Sequence, residues 1–137
     1  MQRFKNILCV VSPGPDNQQA LQRSFTLAEN NQAQLRIVSV VEQIPADTAL
    51  TQELQQALVK EHRATLDKAI EPFRGRTRFE HDVLIGNQFL QITREVLRHG
   101  HDLVVKTAES GGLLGRIFGS DDLNLLRECP CAIWLVK

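Results

Sequence analysis

Short, continuous apolar runs of β-type residues recur along this chain. Each is followed by a stretch in which apolar residues return every three or four positions, and that alternation restricts the fold more than any other feature. Ile7-Leu8-Cys9-Val10-Val11, introduced by Asn6, is the first run, and its unbroken apolarity predicts a strand covered on both faces. Ser12-Pro13-Gly14-Pro15-Asp16-Asn17 turns the chain, with prolines to fix φ and Asp16 or Asn17 to cap a helix. Leu21, Phe25 and Ala28 then share one helical face that ends at Asn30-Asn31. Leu35 to Val41 repeats the strand pattern, and Gln43 to Asp47 forms its exit loop. A long helix follows with Leu54, Leu58, His62, Leu66, Ile70 and Phe73 as its stripe, stopped by Pro72 and Gly75.

The second half continues in the same way. Phe79, His81, Val83 and Ile85 alternate with Glu80, Asp82 and Leu84, which predicts a half-buried strand near a sheet edge. Gly86-Asn87 leads into a helix carrying Phe89, Ile92 and Val96 and ending at His99-Gly100. Asp102 to Val105 is a fourth strand. A glycine-rich loop, Ser110 to Gly119, precedes a short helix with Leu123 and Leu126, and Pro130 introduces a last strand, Ala132 to Val136. Strands that alternate with crossover helices are parallel, so the expected fold is one α/β domain over residues 1–137. It has a five-stranded parallel open sheet with helices on both faces.

Composition narrows the function classes. The 137 residues suit one domain, 42% hydrophobic content argues against global disorder, and 16 Lys+Arg balance 16 Asp+Glu. Without a basic excess there is no drive toward nucleic acid. No apolar run reaches the ~20 residues that span a bilayer, and the opening run is shorter than a signal-peptide core. The expectation is a cytoplasmic protein with neither a nucleic-acid nor a membrane partner. Three cysteines, Cys9, Cys129 and Cys131, form no disulfide framework, and Cys129-Pro130-Cys131 is too tight for a zinc knuckle.

Catalytic chemistry finds no constellation. His62 lies on an apolar helical stripe and His81 in a strand. His99 and His101 flank a helix end, where capping competes with metal binding. Cys9 is expected to be buried and inert, and Cys129 or Cys131 offers at most a redox position. No serine sits in a G-x-S-x-G elbow. Neither a catalytic residue nor a metal site is expected. In open parallel sheets, however, ligands bind beyond the carboxyl ends of the strands. Those ends carry Ser12 to Asn17, Val41 to Asp47, and Lys106 to Ser120. The last segment, Ser110-Gly111-Gly112-Leu113-Leu114-Gly115-Arg116-Ile117-Phe118-Gly119-Ser120, is either a phosphate cradle at a helix start or a surface loop capped by Ser120 or Asp121. It contains neither standard phosphate motif.

The order of elements, the Ile7–Val11 strand and the closing Gly119-Ser120 … Leu125-Leu126-Arg127-Glu128-Cys129-Pro130-Cys131-Ala132-Ile133-Trp134-Leu135-Val136-Lys137 resemble a universal stress protein (UspA-type) domain. His101-Asp102-Leu103-Val104-Val105-Lys106 is similar to the tandem, E-type branch, in which two such domains share one polypeptide. The resemblance implies an adenine nucleotide α-hydrolase-like fold in a single-domain relative or in half of a longer protein. Nucleotide-binding members carry Gly-x-x-Gly, nine residues, then Gly-Ser or Gly-Thr. Gly119-Ser120 fits the final pair, but Lys106 and Glu109 stand at the earlier glycine positions, and Ser12 stands where relatives tend to have Asp. By resemblance, a cofactor site would draw on Ser12, Val40 (adenine), Gly115, Gly119 and Ser120. Side chains where backbone must approach phosphate oppose that approach, and Asp121 and Asp122 occupy the helix end that would attract it. Lys106, Arg116 and the shifted glycines Gly111, Gly112 and Gly115 could rebuild a looser cradle. The first expectation is therefore a regulatory or protein-binding module with no cofactor and a degenerate ATP loop, the second an ATP-binding member. Family dimers form through the last strand, so Trp134 is expected to contribute to a homodimer or to face the second domain of a tandem protein, the alternative being that it packs under a helix.

Overall fold

The computed structural model describes residues 3–12, 16–45, 47–108 and 121–137. In chain order these form β1 (Asn6–Val10), α1 (Gln18–Asn31), β2 (Gln34–Val41), α2 (Ala49–Ile70), a 3-10 turn (Glu71–Phe73), β3 (Glu80–Ile85), α3 (Gln88–His99), β4 (Leu103–Thr107), α4 (Asp121–Glu128) and β5 (Ala132–Val136). The five strands lie in the order β3-β2-β1-β4-β5, all pairs parallel. This is the doubly covered open sheet that the alternation of runs demands.

Strand periodicity divides the core into two layers. Ile7, Cys9, Leu35, Ile37, Leu103 and Val105 face one way and pack with Leu21 and Phe25 of α1 and Leu66 and Ile70 of α2. Leu8, Val10, Val38 and Val104 face the other way, against Ile92 and Val96 of α3 and Leu125 of α4. The central strand is sealed on both faces: Ile7, Leu8, Cys9 and Val10 are all fully buried. β3 lies at an edge and is only half covered, with Val83 its one buried residue.

Three readings of the sequence are corrected here. β4 continues to Thr107, so Lys106 is a strand residue beside Val10 of β1 and Leu135 of β5, not part of a loop. The stripe of α2 buries only its second half: Leu66 and Ile70 are buried, whereas Leu54 is 52% exposed. At ~1.5 Å per residue the helix is about 33 Å long, against about 26 Å for the eight residues of β2, so its amino-terminal turns overhang the sheet. In α4 the core residue is Leu125, while Leu123 and Leu126 face outward.

Candidate functional site

Strand order reverses between β1 and β4, so their carboxyl ends bound the crevice where such sheets take ligands. On the β1 side Ser12 is held by Asn17, whose side-chain oxygen accepts from the Ser12 amide at 3.1 Å and whose Nδ2 donates to the Ser12 carbonyl at 2.8 Å. Asn17 is thereby diverted from capping α1, and Asp16 accepts from the Gln18 amide instead (2.9 Å). The Ser12 hydroxyl accepts from Gln88 Nε2 at 3.2 Å, which ties the β1 exit to the start of α3.

The β4 side carries a charge in the core. Lys106 has no solvent exposure, and its ammonium donates to the carboxylate of Asp122, itself 7% exposed, in the first turn of α4. A buried ammonium is tolerated only when paired in this way. The pairing corrects the expectation that Lys106 lies in the loop and could help rebuild a looser phosphate cradle. Sequence reasoning placed Asp122 at the helix end but missed its partner. The signal was available in the lysine that ends the apolar run Leu103-Val104-Val105, sixteen positions before an aspartate.

Beyond β2 and β3 lies a cleft of about 640 Å³. Val40, Val41, Ile44 and Leu58 supply apolar wall, and His62, Asn87, Gln88, Glu42 and Asp121 supply polar groups. The β2 exit is pinned to α2 by Gln55, which accepts from the Ile44 amide (2.7 Å) and donates to the Glu42 carbonyl (3.3 Å). Gly86 turns the chain on the opposite side with φ +143°, and a Cβ there would lie 2.6 Å from Gln91 Nε2. Asn87 then caps α3 by accepting from the Leu90 amide at 3.1 Å.

Of the sequence-predicted ligand residues, Val40 lines this cleft and Ser12 touches it through Gln88. Gly115, Gly119 and Ser120, with Glu109, Gly111, Gly112 and Arg116, lie outside the described residues. His62 lines the cleft, with Nδ1 3.2 Å from Ser39 Oγ.

The other candidates separate from this end. Arg36, Glu95, His99, His101 and Asn6 gather at the amino ends of the strands, where Arg36 Nε donates to Glu95 at 2.9 Å. His101 is buried with Nδ1 3.0 Å from Asn6 Oδ1, and its Nε2 lies 3.8 Å from Glu95. Burial holds its pKa below the ordinary value, against the pull of the Glu95 charge. His99 sits in the last turn of α3, 3.6 Å from Glu95, and His81 of β3 lies 3.4 Å from Asp67 of α2. Among the described residues no three such side chains converge as metal ligands. Burial pushes the Cys9 thiol up to about 12. Cys129 and Cys131, their sulfurs 3.8 Å apart, are half-buried, and burial raises both, Cys131 to about 12. None of the three has the depressed pKa of a reactive thiol.

No described helix is long and apolar enough to cross a membrane. Over residues 3–137 the chain matches the model of the universal stress protein family. It is 28% identical over 152 residues to universal stress protein E of Photorhabdus laumondii, covering 100% of this chain and 46% of that protein. To the universal stress protein E homolog of Haemophilus influenzae it is 28% identical, covering 98% and 48%. The chain thus spans about half the length of the curated relatives it matches. In fold it is similar to universal stress protein UspA from Lactobacillus plantarum (TM-score 0.83, 20% identity, all of both chains). It is also similar to a universal stress protein in complex with cAMP (TM-score 0.68, 19% identity, 98% of both). A third likeness is the universal stress protein of Archaeoglobus fulgidus in complex with dAMP (TM-score 0.61, 11% identity, all of both).

Proposed function

Because this chain belongs to the universal stress protein family, we propose that it acts as a regulatory or protein-binding module of a cytoplasmic stress response, without turnover and with a degenerate triphosphate site. One observation carries the reading. At the position where the nucleotide-binding pattern opens with glycine stands Lys106, fully buried and bonded to Asp122. Glycine there lets backbone approach a phosphate, whereas this side chain fills the space and its charge is already neutralised. Asp121, beside Asp122 in the first turn of α4, adds negative charge where the helix end would otherwise favour an anion. Both features speak against a bound triphosphate at the end of β4.

The test is a thermal melt. A ligand at 100 times its Kd stabilises by about 2.7 kcal/mol, several degrees for a domain of this size. The reading expects no such rise with 5 mM Mg·ATP, and a rise of several degrees contradicts it.

The cleft beside Val40 supports a second reading, a nucleotide-binding member that draws on Ser12, Val40, Gly115, Gly119 and Ser120. Its volume suits a small molecule, and two relatives of the same fold are described in complex with cAMP and dAMP.

For partners, a second copy of the chain is the proposed occupant of the β5 edge. In a tandem protein the other domain would take that place. Trp134 is 38% exposed there with the Arg23 guanidinium 5.8 Å from its ring, and among the described residues no strand lies beyond β5. An edge of this kind offers backbone hydrogen bonds and an aromatic anchor.

A further inference from the structure

Cys129 and Cys131 lie where β5 begins, at the end of the sheet opposite the cleft. Cys129 sits one residue past α4, its amide donating to the Leu125 carbonyl at 3.0 Å. Cys131 immediately precedes Ala132, which pairs with Leu103 in the sheet. Pro130 between them fixes its own φ near about −65°. Two anchored backbones and a stiff link thus hold the sulfurs 3.8 Å apart. Both thiols are half-buried against the layer that contains Leu8, Ile92 and Leu125.

The chemistries open to such a pair differ in what they need. A disulfide requires the sulfurs to close to about 2.05 Å across a single proline, and attack on a peroxide requires a thiolate. Burial works against the thiolate, because it raises both pKa values, Cys131 to about 12. A thiophilic cation displaces the protons itself. It also fits the gap as it stands, since two metal–sulfur bonds of about 2.3 Å reach across 3.8 Å at an angle of roughly 110°. Zinc favours four ligands, and among the described residues no third His, Cys, Asp or Glu joins the pair. Copper(I) is a soft ion that thiolates select, and two of them suffice for it.

We propose that Cys129 and Cys131 form a two-coordinate thiolate site for copper(I). Binding follows Cu⁺ + 2 R–SH → [Cu(SR)2]⁻ + 2 H⁺: two copper–sulfur bonds form, two S–H bonds break, both protons pass to solvent, and no electron is transferred.

The full, reduced chain is titrated anaerobically against copper(I) held by bicinchoninate. Uptake of one copper per chain is expected. Affinity should fall by at least about a hundredfold in both Cys129→Ser and Cys131→Ser, because a single thiolate forfeits the intramolecular second bond. Cys9 remains in each variant, so the same loss separates the pair from that buried thiol. Proton release needs no variant. Copper(I) added to the wild-type chain at pH 7 as its acetonitrile complex should free two protons per copper, since burial keeps both thiols protonated. The site is overturned by a stoichiometry other than one copper per chain, by a smaller loss of affinity in either variant, or by fewer than two protons per copper. Zinc(II) that displaces the copper at equal concentration overturns it as well.

Discussion

Lys106 and Asp122 stabilise each other's burial, and neither charge has solvent to fall back on. Lys106→Met removes the ammonium that donates to the buried Asp122 carboxylate and should lower unfolding free energy by about 3–5 kcal/mol. Lys106→Met/Asp122→Leu should recover most of that loss, both read by urea denaturation. His101 gives a pH signature. Its folded-state pKa lies below the ordinary 6.5 because burial disfavours the imidazolium, so the unfolded chain binds the proton more readily. The stability this neutral ring contributes is whole above about pH 6.5 and is lost as pH falls toward the folded-state value. The melting temperature should therefore decline between pH 7 and 5, and decline less in His101→Gln. At this scale the sequence showed residue types and not partners. His62 and Cys9 were readable from their apolar neighbours, but the pairing of Lys106 with Asp122 and of Ser12 with Gln88 needed the sheet to bring distant segments together.

At the scale of the elements, Gly86 decides how α3 leaves β3. Its φ of +143° makes Gly86→Ala strained even though the nearby Gln91 side chain can move aside, with an expected loss of about 1–3 kcal/mol in the same denaturation assay. β1, α1 and the crossover order were legible because each apolar run is either sealed on both faces or presents one face at a fixed period. Leu21, Phe25 and Ala28 are all buried as that period requires. The upper half of α2 and the face of α4 were not legible. Periodicity tells which residues share a stripe but not where the sheet beneath it ends, and so Leu54, Leu123 and Leu126 were assigned contacts that the strands are too short or too distant to make. The extension of β4 to Thr107 was hidden for a related reason. A lysine ends an apolar run on paper, yet pairing with β1 and β5 carries the strand through it.

For the whole molecule, the proposed dimer and the proposed loss of the triphosphate site make separate predictions. Sedimentation velocity at micromolar concentration should give a dimer that Trp134→Asp converts to monomer; a wild-type monomer removes the edge-strand proposal. The ligand site is the central proposal, since Lys106, buried and bonded to Asp122, stands at a position where the nucleotide-binding pattern has glycine. Equilibrium dialysis of the wild-type chain against labelled Mg·ATP measures it most directly. The account predicts no saturable binding tighter than about 1 mM, whereas one nucleotide per chain at a Kd of about 10 μM would contradict it.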